Sequence, residues 1–258
     1  LRASDIKEYE QISIYNITMS ESSIYAKHIL YITVLLSLVI QVLTGIVDVY
    51  ALTWNYKGDM RMIKGLIGVE TFVQFIEIVF YLWLYLQFDS AVRITEKRYY
   101  DWVITTPSML FILIVYLDFL RYDNSVPEIN DESVTTFEYL FFALQKHGGN
   151  LSIIVFLNFL MLVFGYLAEK KIIGKYFAVI SGFIPFILYF YYIYINYAVY
   201  SEKGKILFTI FAGIWSLYGV SLLLPYTWKN VSYNILDIFS KNFFGIFLVY
   251  IALINMNN

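Results

Sequence analysis

The chain has 258 residues, of which 60% are apolar, 20% aromatic and only 15% charged, with a formal net charge of −2. A soluble domain carries roughly 25% charged residues and cannot hide so much apolar surface, while a disordered chain has the opposite composition. No basic patch suggests a nucleic-acid ligand, and the lack of cysteine with only two histidines leaves no thiolate zinc site, no His-rich metal site and no thiol nucleophile.

Seven stretches are apolar over about 20 residues or more, the length that crosses a bilayer. They cover 22–52, 61–89, 96–121, 149–168, 172–199, 205–225 and 230–255. Most connections are short, such as Ser201 to Lys205. Consecutive spans are therefore expected as antiparallel neighbours in one all-α, seven-helix bundle within a lipid bilayer. Pro107 and Pro185 fall inside spans, where membrane helices tolerate proline. Lysine and arginine are spread too evenly between the two sides to orient the bundle. With the N-terminus placed outside, 1–21 is an extracellular segment and the long connection 122–148 is cytoplasmic. Within that connection Phe137, Leu140, Phe141 and Leu144 recur at helical spacing. They predict a short amphipathic helix lying on the membrane surface.

Ionisable side chains inside a span cost roughly 2.5–3.5 kcal/mol on insertion scales, so each is read first as functional. The second span holds Glu70 and Glu77, the third Arg98 and Asp101, and the seventh Asp237 and Lys241. Lys241 lies mid-span, too deep to snorkel. A buried amine that gives up its proton becomes a nucleophile toward carbonyls and forms an imine. Asp237, four residues earlier, shares its helical face. Asp101 offers a second carboxylate, Arg98 balances the two, and Thr105 is placed to hydrogen-bond the Asp101 carboxylate. The competing reading is a set of unrelated ion pairs that stabilise helix packing.

The run Arg98-Tyr-Tyr-Asp101-Trp102-Val-Ile-Thr105-Thr106-Pro107 resembles the third-helix signature of the microbial (type 1) rhodopsins. Trp215-Ser-Leu-Tyr218-Gly219 is similar to that family's sixth-helix Trp-Ser-x-Tyr-Pro, and Asp237 with Lys241 to its seventh-helix Asp-x-x-x-Lys. The three motifs stand in the right order and cover most of the membrane core. The second span, Glu70-Thr-Phe-Val-Gln74-Phe-Ile-Glu77, looks like the viral rhodopsins in particular. The resemblance implies all-trans retinal on Lys241 as a Schiff base, with Asp101 as primary counterion and proton acceptor and Asp237 as the secondary one. It places Trp102, Thr106, Trp215 and Tyr218 around the polyene. It also implies a photoreceptor rather than an enzyme, assembled as a trimer or pentamer. Gly219 departs from the family's proline, and Leu222 stands where another tryptophan is usual, so the pocket is altered there.

Outward proton pumps of this family carry a carboxylic donor eleven residues after the acceptor; here that residue is Ile112. Glu70, Gln74 and Glu77 instead form one polar stripe on an otherwise apolar helix, which suits a water-filled cation path. Asn234, one turn before Asp237, extends the stripe, and by the resemblance Glu77 falls at the second-helix gate glutamate of channelrhodopsins. The plainer alternative is hydrogen bonding between helices. The expectation is light-dependent transport of cations or protons, as a light-gated cation channel. A light-driven outward proton pump is the alternative. A photosensor signalling through a partner is weaker, because the chain ends close after the last span.

Overall fold

The computed structural model describes residues 3–88, 94–129 and 133–256, with side chains from Ile24 to Asn255. Residue 89, the expected end of the second span, and the side chains of the 1–21 segment lie outside that description. Among the described residues every regular element is helical. The order is α1 (Ala3–Leu52), α2 (Met60–Leu86), α3 (Ile94–Arg121), α4 (Thr136–Glu169), α5 (Lys175–Asn196), α6 (Glu202–Ser221), α7 (Tyr226–Asp237) and α8 (Phe243–Met256). A single 3-10 turn, Ala198–Tyr200, joins α5 to α6, and a π-turn, Ile238–Asn242, joins α7 to α8. The last three pieces make one span, so seven helices are long and apolar enough to cross a membrane. The backbone explains the choice of helix: in hydrocarbon every N–H and C=O must be satisfied within its own segment.

Sequential helices pack side by side, and α7 closes the ring against α1. The third span is the most enclosed and the fourth the least. That explains why α3 is apolar on nearly all sides, with Met109 to Phe119 almost wholly buried. It runs unbroken through Pro107, and α5 through Pro185.

Three boundaries depart from the sequence expectation. The N-terminal 1–21 segment is not separate, because α1 already runs from Ala3. The predicted surface helix is not separate either: α4 is continuous from Thr136, so 137–144 are its opening turns and the connection is shorter than 122–148. Gly148 and Gly149 stay helical within α4. Its start is instead set by a capping box. Thr135 Oγ1 accepts from Glu138 N at 3.3 Å, and Glu138 Oε2 accepts from Thr135 N at 2.7 Å. The third departure is the π-turn, which carries Lys241 and widens the helix locally.

The shortened connection is fastened to the bundle by charge. Lys146 on α4 lies 2.8 Å from Asp118 on α3 and 2.7 Å from Glu128 in the connection. His147 Nε2 is 3.3 Å from the same Asp118 oxygen. Thr135→Ala removes one half of the capping box and is expected to cost about 1 kcal/mol. Amide hydrogen exchange should quicken in the first turn of α4 and stay unchanged in α3.

Candidate functional site

The geometry centres on Lys241, which the π-turn holds at the middle of the seventh span, 2% exposed. Its Nζ meets three carboxylates from three helices. It donates to Glu77 on α2 in a close hydrogen bond, and to Asp101 Oδ2 on α3 at 3.5 Å. It lies 3.4 Å from Asp237 Oδ1 on its own span. The sequence-derived pair Asp101 and Asp237 is thus brought to the amine, but Glu77 makes the closest contact.

Asp237 is held from its far side. Tyr81 donates to Oδ2 at 2.6 Å, Arg98 Nη1 to the same oxygen at 3.0 Å, and Tyr218 to Oδ1 at 2.7 Å. Arg98 is fully buried, and its other nitrogens donate to Asn234 in a close hydrogen bond and to Asn230 Oδ1 at 3.4 Å. Its guanidinium also sits 5.2 Å from the Phe80 ring centre and 5.6 Å from that of Tyr81. A buried arginine is tolerable only when its donors and its charge are answered in this way. Arg98 therefore balances Asp237, with Asp101 left to Lys241.

One expected contact is absent. Thr105 Oγ1 donates to the Asp101 backbone carbonyl at 3.2 Å and not to its carboxylate. A threonine within a helix readily bonds the carbonyl four residues back, and at i+4 that carbonyl is nearer than the side chain. Thr106 does the same to Trp102 O at 2.7 Å, and in turn accepts from Asn158 Nδ2 on α4 at 2.7 Å.

Beside Lys241 lies an apolar cavity between α3, α4, α5, α6 and the seventh span. Its walls include Trp102, Thr106, Met109, Met161, Phe183, Phe186, Trp215 and Tyr218. Trp102 stands edge-on to Tyr218 and Tyr233, with centroids 5.5 and 5.1 Å away. Trp215 packs against Phe211 at 4.7 Å. Gly219 shapes the wall: a Cβ there would fall 2.8 Å from the Phe183 ring. Phe183 thus occupies the space that a side chain at 219 would need. An aromatic-walled apolar slot with one amine in its lining fits a long apolar aldehyde held through that amine.

Glu70 and Gln74 do not reach this cavity. They continue the Glu77 face toward the start of α2, with Gln74 Nε2 donating to Glu70 Oε1 at 3.4 Å. At the other end, beside Arg98 and Tyr81, Asn234 of the seventh span donates to Thr33 Oγ1 at 2.9 Å while its backbone carbonyl accepts from Ser37 at 3.1 Å. Here α1 supplies residues that the sequence reading missed. Ser37, Gln41, Thr44 and Asp48 are all 0–2% exposed, and their spacing of i, i+4, i+7, i+11 puts them on one face. The same spacing continues Glu70, Gln74 and Glu77 to Tyr81, which was also missed. That periodicity was the available signal.

Arg98→Ala takes from the buried Asp237 its nearer cation and leaves it only Lys241, which Glu77 and Asp101 share, and is expected to cost about 3–5 kcal/mol. Arg98→Lys should recover only part, because a point charge cannot serve Asp237, Asn234 and Asn230 together. Thermal unfolding in detergent reads both.

The sequence profile described as bacteriorhodopsin-like protein matches residues 30–255. No curated protein matches the chain in sequence. Among solved structures it is similar to the viral rhodopsin OLPVRII, with 25% identity and a TM-score of 0.71 over 87% of this chain and 98% of that one. It is also similar to the proton-pumping rhodopsin AR2 from the marine alga Acetabularia acetabulum (17% identity, TM-score 0.64, 88% and 96% covered). Bromide-bound halorhodopsin from Halobacterium salinarum gives 14% identity and a TM-score of 0.65, with 90% and 96% covered.

Proposed function

The chain belongs to the bacteriorhodopsin-like family, and on that premise we propose that it is a retinal-binding photoreceptor of a membrane that conducts cations when illuminated. All-trans retinal, joined to Lys241 through an imine, supplies the visible absorption, a delocalised positive charge and a light-driven change of shape. Trp102, Trp215 and Tyr218 hold it from the walls of the slot, with Thr106 fixing the third-helix side. Asp101 and Glu77 answer the positive charge at Lys241 Nζ, and either can accept its proton. Asp237 is committed to Arg98, Tyr81 and Tyr218, which all donate toward it.

The observation that carries the channel reading is the contact between Lys241 and Glu77. Glu77 sits in the middle of the polar seam formed by α1, α2 and the seventh span. While Lys241 holds it, that seam is closed at its centre by a buried ion pair. When Lys241 loses its proton the attraction ends, and Glu77 is free to be hydrated. Glu70, Gln74 and Asn234, with Ser37 and Gln41 across from them, then provide polar groups for a solvated cation on either side of it. The family's usual donor position is Ile112, fully buried and unable to carry a proton, which disfavours a fast pump. With the N-terminus outside, the Arg98 end of the seam faces outward and the Glu70 end inward.

Whole-cell photocurrents against voltage, in retinal-supplied cells with sodium, potassium and proton gradients varied, test this. A current that reverses with an ion gradient is expected; one that stays outward at all voltages would establish a pump. Lys241→Ala should abolish both visible absorption and current. Glu77→Gln should keep a pigment but change the reversal potential or the current size.

A further inference from the structure

Tyr99 also lines the slot beside Lys241. It sits on α3, three residues before Trp102, and is only 6% exposed. Its ring is met edge-on by Trp102 and Tyr166, with centroids 5.0 and 5.7 Å away. Its hydroxyl makes no hydrogen bond among the described residues. Neighbouring phenols are answered: Tyr81 and Tyr218 donate to Asp237, and Tyr189 to the Met161 sulfur at 3.7 Å. Tyr233 shares the lack of a partner, but it stands on the same span as Lys241 and stacks on Tyr218, with centroids 5.7 Å apart.

The Tyr99 hydroxyl has its place because residue 165 is glycine. A Cβ on Gly165 would fall onto that hydroxyl and within 3.0–3.1 Å of two carbons of the ring. Gly165 belongs to α4, which packs against α3 and α5, across the bundle from the span that carries Lys241. The slot thus has an amine in one wall and a phenol hydroxyl in the wall opposite. The other side chains around that far end are Ala178, Val179, Gly182 and Leu222. None of them can give or take a hydrogen bond. Leu222 stands where the related family usually carries a tryptophan, so an indole N–H is missing as well.

A buried hydroxyl left without a partner is costly compared with one that is satisfied. Pockets for apolar ligands use a few such polar groups to choose and orient the ligand. We propose that Tyr99 makes the slot selective for a polyene aldehyde with an oxygen substituent on its ring, the end remote from the aldehyde. The Tyr99 hydroxyl hydrogen-bonds that substituent. The proposal rests on Lys241 holding retinal or a close relative of it. A phenol both donates and accepts, so a ring hydroxyl or a ring ketone serves equally. A plain hydrocarbon ring leaves Tyr99 unanswered, and a site built for a hydroxyl rejects the analogue that lacks it.

Competition for the retinal-free protein tests the selectivity. The protein is offered equal amounts, in excess, of all-trans-retinal and all-trans-3-hydroxyretinal, and separately of retinal and the 4-hydroxy isomer. The bound aldehydes are extracted and counted by chromatography. The wild type should hold one of the hydroxylated aldehydes over retinal by roughly tenfold, the worth of one neutral hydrogen bond. Tyr99→Phe keeps the ring and should remove the preference. Gly165→Ala puts a methyl group where the hydroxyl lies and should remove it too, so the outcome does not hang on one variant. An even ratio for both isomers in the wild type overturns the proposal. So does a preference that survives Tyr99→Phe, or one that only Tyr233→Phe removes. Retinol and the two hydroxyretinols, which form no imine, repeat the comparison through quenching of tryptophan fluorescence. If no aldehyde gives a visible pigment, the reading of Lys241 fails, and the alcohols still decide whether Tyr99 selects for oxygen.

Discussion

A lysine amine fully enclosed in a membrane bundle is the constraint from which the rest of the interior follows. Its charge must be met where it stands, since neither water nor the membrane surface is within reach. The three carboxylates that meet it then need their own balance, and Arg98 provides part of it. Arg98 in turn needs acceptors for its remaining donors, which explains Asn230 and Asn234 on the seventh span and Tyr81 on α2. Each group exists to satisfy the one before it. The network ends at residues such as Thr95, which accepts from Asn230 at 3.0 Å. Removing any inner member leaves a buried charge without an answer, which is far more costly than losing a hydrogen bond at the surface.

The polar interior also divides the bundle into two functional halves. Toward α4, α5 and α6, the lining beside Lys241 is aromatic and apolar. Toward α1 and α2 it is acidic and amide-rich. The first half suits a rigid hydrophobic chromophore, and the second suits protons, water and ions. Lys241 stands on the boundary, lining the slot while its Nζ meets Glu77, Asp101 and Asp237. A change of charge at that nitrogen is felt first by Glu77, across the boundary from the slot.

The seven spans were legible because bilayer thickness imposes a length that composition alone reveals. Asp101, Asp237, Arg98 and Lys241 were legible because a charge inside an apolar span is conspicuous. The sequence reading went astray where those two signals weaken. Asp48 lies only four residues before the end of α1 and resembles an interfacial charge, yet packing against α2 and α8 buries it completely. Tyr81 is one aromatic in a chain with 25 tyrosines, so composition hides it and only helical phase could single it out. The start of α4 was misplaced because the wholly apolar stretch begins only at 149, while the turns before it carry Glu138, Lys146 and His147. The helix runs on through Gly148 and Gly149. The π-turn at Lys241 has no sequence signature, because it follows from fitting the amine between helices already in place.

The charged anchor at the far end of α3 has a mechanical meaning. Arg98 near one end of that helix is tied to the seventh span, and Asp118 near the other is tied to Lys146 and His147 on α4. Twenty residues separate these two fastenings, about 30 Å of helix. A rod pinned at both ends cannot slide along its axis without breaking a buried or half-buried ion pair. It acts as the stator of the bundle, keeping Asp101 at a fixed height while its neighbours move. Displacement that begins in the aromatic slot is therefore passed sideways, and the carboxylate on α3 serves as the reference against which the amine shifts.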